Sequence, residues 1–130
     1  MPLSKQSIEI LKEVKKFTGH NKYIFASYSK SGHLDPNSLM KQIRQRGWSR
    51  DKVTIHGFRS SFITICEEEE IETNVAILEM AVNHAVKGAL GDTYRRGTFL
   101  KQRIILMQNW SDYVDNMKRQ YVKNNLLKSI

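Results

Sequence analysis

Thr54-Ile55-His56-Gly57-Phe58-Arg59-Ser60-Ser61-Phe62, continuing into Ile63-Thr64-Ile65-Cys66, joins a helix signal to a histidine and an arginine. Phe58, Phe62, Ile65 and Cys66 fall at i, i+4, i+7 and i+8, which predicts a helix starting near His56 with one apolar stripe turned to a core. His56 and Arg59 are three apart and so share a different face at the first turn. The unpaired N–H groups and positive dipole end of a helix start also favour an anion there.

Downstream, a second helix is expected over residues 73–82, presenting Val75, Leu78 and Val82, and His84 follows it in Met80-Ala81-Val82-Asn83-His84. Between the two helices, Glu67 to Glu70 with Glu72 reads as a solvated face turned away from any polyanion. Residues 85–92 hold Gly88 and Gly91 and read as a mobile connection to Asp92-Thr93-Tyr94-Arg95-Arg96. A last long helix is expected over 98–126, where Leu100, Ile104, Met107, Trp110, Val114, Met117 and Tyr121 recur in steps of three and four as a core or helix-packing seam.

Upstream, Ser4 is placed to cap a helix carrying Ile8, Leu11 and Val14, with Gly19 as its stop. Tyr23 to Ala26 reads as a short strand or extended segment. Asp35-Pro36 supplies an N-cap and a proline at the first helical position, for a helix to about Arg46 before Gly47. The expected fold is mainly α with at most a short β element, in a single domain over 1–130 whose last 15 or so residues form a helical tail.

The formal charge is +8 over 130 residues, which suits a polyanionic partner. Its distribution is uneven: residues 1–66 hold 12 Lys and Arg against 4 Asp and Glu, and residues 67–130 hold 9 against 9. The single cysteine, Cys66, excludes an intramolecular disulfide and reads as a buried thiol. No apolar run reaches the roughly 18 residues of a membrane span and no signal-peptide core opens the chain, so a soluble, cytoplasmic protein is expected, with no membrane partner.

His56-Gly57-Phe58-Arg59, then His84 in its Ala81-Val82-Asn83-His84 turn, then Tyr94 ten residues later, resemble the end of the catalytic domain of the tyrosine recombinases, the phage-type integrases. The neighbouring words are similar too: Thr54 to Phe62, Tyr94-Arg95-Arg96, and Leu100 to Tyr113 resemble integrases of prophages and genomic islands. Pro2-Leu3-Ser4 resembles the segment leaving that family's catalytic hairpin. The resemblance runs to about Val114.

It implies site-specific DNA recombination by strand cleavage and rejoining. Tyr94 would attack the scissile phosphate to give a 3′-phosphotyrosyl link and a free 5′-hydroxyl, with no metal and no cofactor. Arg59 would clamp two phosphate oxygens, and His56 and His84 would donate hydrogen bonds to the same phosphate, with His56 also assisting proton transfer. A lone tyrosine, arginine or histidine is more often structural; the joint spacing is what singles these out. The partner implied is double-stranded DNA at attachment sites, with self-association through the C-terminal helix.

The family also uses an earlier arginine and a hairpin lysine as general acid. No Arg-x-x-Glu box occurs here, the first arginine is Arg44, and Lys5, Lys12 and Lys22 follow the hairpin position. The chain is therefore expected to be the last two thirds of such a catalytic domain, inactive or strongly impaired alone. The alternative is a non-catalytic DNA-binding or protein-interaction module that keeps the fold. A metal-dependent nuclease is disfavoured, since the acidic residues cluster without histidine partners.

Overall fold

The computed structural model describes residues 1–84 and 98–127. Among the described residues the chain is mainly helical, with α1 (Lys5–Thr18), α2 (Pro36–Gln45), α3 (Ile55–Glu68), α4 (Val75–Ala81) and α5 (Leu100–Leu127). β pairing there is limited to one isolated antiparallel bridge between Ala26 and His33. The expected extended segment at 23–26 thus ends in a turn. Ser27 N–H donates to the Gly32 carbonyl at 3.1 Å and Leu34 N–H to that of Phe25 at 2.8 Å, which closes the chain on itself before a ladder can form.

Short polar side chains start α1, α2 and α4. Ser4 Oγ accepts from Ser7 N–H at 3.1 Å, Asp35 from Asn37 N–H at 2.7 Å, and Asn74 from Ala76 N–H at 3.0 Å. Each satisfies an amide that the first turn leaves unpaired, a contribution of about 1 kcal/mol. The ends of α2, α3 and α4 share one device. Gly47, Glu70 and Asn83 have φ of +88°, +51° and +59°, and in each case the next residue's N–H returns five residues: Trp48 to Ile43, Ile71 to Cys66, His84 to Glu79. These are Schellman endings, in which one left-handed residue turns the chain off the helix axis. Asn74 also explains why α4 begins two residues later than the apolar pattern expects: it is the cap, so Val75 opens the helix half-exposed.

Contacts divide the chain into two compact units, Met1–Ser7 with Ile63–Ile130, and Ile8–Phe62. The first holds a core of Cys66, Ala76, Ile77, Leu78, Ala81 and Leu106, with α4 packed on α5. Its N-terminal residues lie on α5 through a polar network. Ser111 Oγ donates to the buried Ser4 Oγ at 2.7 Å, Lys5 N–H to Gln108 at 3.0 Å, and Gln6 Nε2 to Asp112 at 2.6 Å. In the second unit, Phe62 is the buried apolar side chain.

Several stripe positions depart from expectation. Phe58 is 60% exposed, so the α3 stripe begins at Phe62. On α5 the buried residue is Leu106, while Leu100, Ile104, Val114, Met117 and Tyr121 are exposed. Apolar periodicity finds a helix face, but a neighbour must lie on that face to bury it. Ile8 on α1 is exposed for the same reason, and Leu11 and Val14 are half-buried. No helix of the described residues is long and apolar enough to cross a membrane.

Candidate phosphate-binding site

α3 starts where the apolar run Phe62 to Cys66 can first be reached by helical spacing and where a hydroxyl is available to start it. Thr54 Oγ1 accepts from Gly57 N–H at 2.8 Å, and the Thr54 carbonyl accepts from Phe58 N–H at 3.2 Å. A Cβ on Gly57 would stand 3.0 Å from that same hydroxyl oxygen, so the glycine keeps the cap tight. His56 and Arg59 follow on this first turn, both exposed. Among the described residues neither the imidazole nor the guanidinium has a hydrogen-bond or ion-pair partner. Two hydrogen-bond donors without partners among the described residues, one turn apart on a capped helix start, suit the non-bridging oxygens of a phosphate.

The segment leading to this turn is tied down by Arg44. Its guanidinium donates to the backbone carbonyls of Trp48 at 2.8 Å, Ser49 at 2.7 Å and Val53 at 2.7 Å. Arg44 is therefore spent on shaping the entry to α3. Asp51 in the same loop is held below the usual carboxylate range, first by a hydrogen bond from Ser49 and then by its own backbone amide. It is the sole Asp or Glu between Asp35 and Glu67. The unit Ile8–Phe62 holds eleven Lys and Arg against four Asp and Glu. Lys22 Nζ stands 5.4 Å from the centre of the Tyr23 ring, whose edge meets His33 at 5.2 Å.

His84 belongs to the other unit, just past the Schellman ending of α4. Its backbone N–H donates to the Glu79 carbonyl at 2.8 Å, and its ring Nδ1 lies 2.8 Å from Glu79 Oε2. Arg103 Nη1 reaches the Met80 carbonyl at 3.4 Å, joining α5 to the same helix end. His84 is legible in the sequence; its partner Glu79 is not. The available signal was Asn83, a residue tolerant of positive φ, which marks the helix end that folds His84 back over Glu79.

The structure thus brings His56 and Arg59 together on one turn. Tyr94, the expected mobile connection and Arg95-Arg96 lie outside the described residues. Of the other tyrosines, Tyr113 has its phenol pushed up, first by desolvation and then by the charge of and hydrogen bond with Glu69. That is the opposite of what activates a nucleophile. Glu67 to Glu70 are exposed, as expected of a solvated run. Cys66 is fully buried and its thiol is pushed up to about 11, mainly by desolvation and then by Glu72 and Glu67. Among the described residues no three His, Cys, Asp or Glu gather as a metal-ligand cluster.

In sequence the chain is similar to phage and prophage integrases, which bears out the integrase likeness expected from its motifs. It is 27% identical over 117 residues to prophage integrase IntZ of Escherichia coli (strain K12), covering 90% of this chain and 28% of that protein. To the integrase of Shigella phage Sf6 it is 30% identical over 121 residues, covering 92% and 31%. To that of Enterobacteria phage P4 it is 24% identical over 132 residues, covering 99% and 30%. The chain spans between 28% and 31% of the length of these curated relatives. No family model matches the chain, and no solved structure matches it.

Proposed function

We propose that this chain is the C-terminal part of a tyrosine-recombinase catalytic domain, acting in phage-type integration on double-stranded DNA. The observation that carries the reading is the exposed pair His56 and Arg59, without partners among the described residues, on the Thr54-capped start of α3 within the strongly basic unit. Arg59 takes two phosphate oxygens and stabilises the charge that develops on them during displacement. The Tyr94 phenol oxygen attacks phosphorus, its proton passing to His56, while His84 donates to a phosphate oxygen. The bond to the 5′-oxygen breaks, leaving a 3′-phosphotyrosyl link and a 5′-hydroxyl. Attack by a 5′-hydroxyl of another strand reverses the step, so phosphodiester energy is conserved and neither ATP nor a metal enters.

The leaving 5′-oxygen needs a proton donor, a role that the family resemblance gives to a lysine outside this chain. Loss of such a group costs about a hundredfold or more in rate, so the chain alone is expected to cleave poorly. The exposed Val114, Met117 and Tyr121 on α5 support self-association through that helix. The test is cleavage by the chain extended to the length of its relatives. Arg59→Ala slows covalent capture of DNA about a hundredfold. Tyr94→Phe abolishes capture and leaves duplex affinity unchanged. If the chain is instead a non-catalytic DNA-binding module, duplex is retained with no capture in either version.

A further inference from the structure

α4 is a seven-residue helix whose ending determines where His84 stands. Val82 caps it, Asn83 takes φ +59°, and the Asn83 and His84 amides return to Met80 and Glu79 at 3.3 and 2.8 Å. The turn places the His84 ring over the side chain of the residue five positions back. Ring Nδ1 then meets Glu79 Oε2 at 2.8 Å. The same glutamate holds His84 twice, by its backbone carbonyl and by its carboxylate. The pair is partly buried, with 38% of the His84 side chain and 29% of the Glu79 side chain exposed.

An ionised carboxylate can only accept, so the proton between the two must sit on Nδ1. Nε2 is then the one ring nitrogen left for an outside partner. A ring free in solution rotates and exchanges its proton between nitrogens; this one is held in orientation and in form. We propose that Glu79 is a positioning residue for His84, fixing the Nδ1–H ring and reserving Nε2 for the phosphodiester. This rests on the reading of His84 as a phosphate-facing group. A glutamate that served only to finish α4 would need its backbone carbonyl alone, which every residue supplies.

The two roles separate by substitution. Glu79→Gln keeps an acceptor oxygen for Nδ1–H, whereas Glu79→Ala removes it, and both keep the backbone bond that ends the helix. The experiment is long-range proton–nitrogen correlation spectroscopy of the histidine rings in the 130-residue chain, with and without a short duplex DNA. Assignment is by loss of the His84 signals in His84→Asn. Without DNA, wild type and Glu79→Gln show the neutral ring protonated on Nδ1, and in Glu79→Ala the proton moves to Nε2. Added duplex shifts Nε2 and leaves Nδ1 in place in wild type, and this selectivity is lost in Glu79→Ala. A wild-type ring protonated on Nε2, or a Glu79→Ala ring identical to wild type, overturns Glu79's hold on the ring. An Nδ1–H ring whose nitrogens ignore the duplex instead overturns the phosphate-facing reading of His84, and with it the use made of that hold.

Discussion

The two units of this chain divide core from charge. The unit Ile8–Phe62 holds eleven Lys and Arg against four Asp and Glu, with Phe62 as its buried apolar side chain among the described residues. The unit Met1–Ser7 with Ile63–Ile130 holds ten against nine and the remaining buried apolar side chains, from Cys66 to Leu106. His56 and Arg59 stand in the basic unit and His84 in the cored one. Burying apolar area drives folding, while clustered positive charge opposes compaction and attracts a polyanion. Separating the two lets one unit carry stability while the other presents unpaired donors.

The comparison breaks first on the core. Leu78 is fully buried on α4, so Leu78→Ala should cost about 3 kcal/mol, whereas Phe58→Ala on the exposed turn of α3 should cost under about 1 kcal/mol. Urea unfolding of both variants measures this, and equal costs would dissolve the distinction between the units. Next comes the charge. Replacing Lys15, Lys22 and Lys30 with Gln should lower the slope of log affinity for duplex DNA against log salt by about 2 to 3. The same change at Lys101, Lys118 and Lys123 should lower it by less than about 1. Fluorescence anisotropy across a salt series separates them.

The buried thiol adds a pH signature to the cored unit. Cys66 is pushed up from 9.0 to about 11, so above 9.0 the unfolded chain ionises before the folded one. Its stabilising contribution is intact below 9.0 and is lost as pH rises through about 11, and Cys66→Ala should flatten that fall in denaturation measured across this window. The smallest effect lies at the helix ends. Glu70 holds φ +51° at a position that glycine occupies without strain, so Glu70→Gly should add up to about 1 kcal/mol of stability. Asn83→Gly, starting from a residue that tolerates the left-handed region, should change thermal stability by less than about 0.5 kcal/mol.

Much of this was legible in single residues. Ser4, Asp35-Pro36 and Gly47 marked helix limits because their chemistry is local: a hydroxyl or carboxylate reaches the amides of its own turn, and glycine alone enters positive φ freely. His56 and Arg59 were legible for the same reason, being one turn apart. What escaped depended on distance along the chain. Glu79 meets His84 only after Asn83 reverses the backbone, and Arg44 reaches nine residues forward to the Val53 carbonyl. Glu70 escaped because the rule for helix ends looks for glycine. The α5 stripe is buried over only part of its length, because its apolar residues mark a face without naming a neighbour. Tyr94 lies outside the described residues, and the role proposed for it rests on the family resemblance that its spacing from His84 carries.

The most direct test is covalent trapping followed by peptide mapping. The chain, extended to the length of its relatives, is incubated with a nicked suicide duplex, denatured in SDS and digested, and the nucleotide-bearing peptide is sequenced by mass spectrometry. The expected result is a single adduct on Tyr94, absent from Tyr94→Phe and weak or missing in the 130-residue chain alone. An adduct on Tyr113 or another tyrosine, or no adduct from a folded, duplex-binding protein, would contradict the proposal that this chain cleaves DNA through Tyr94.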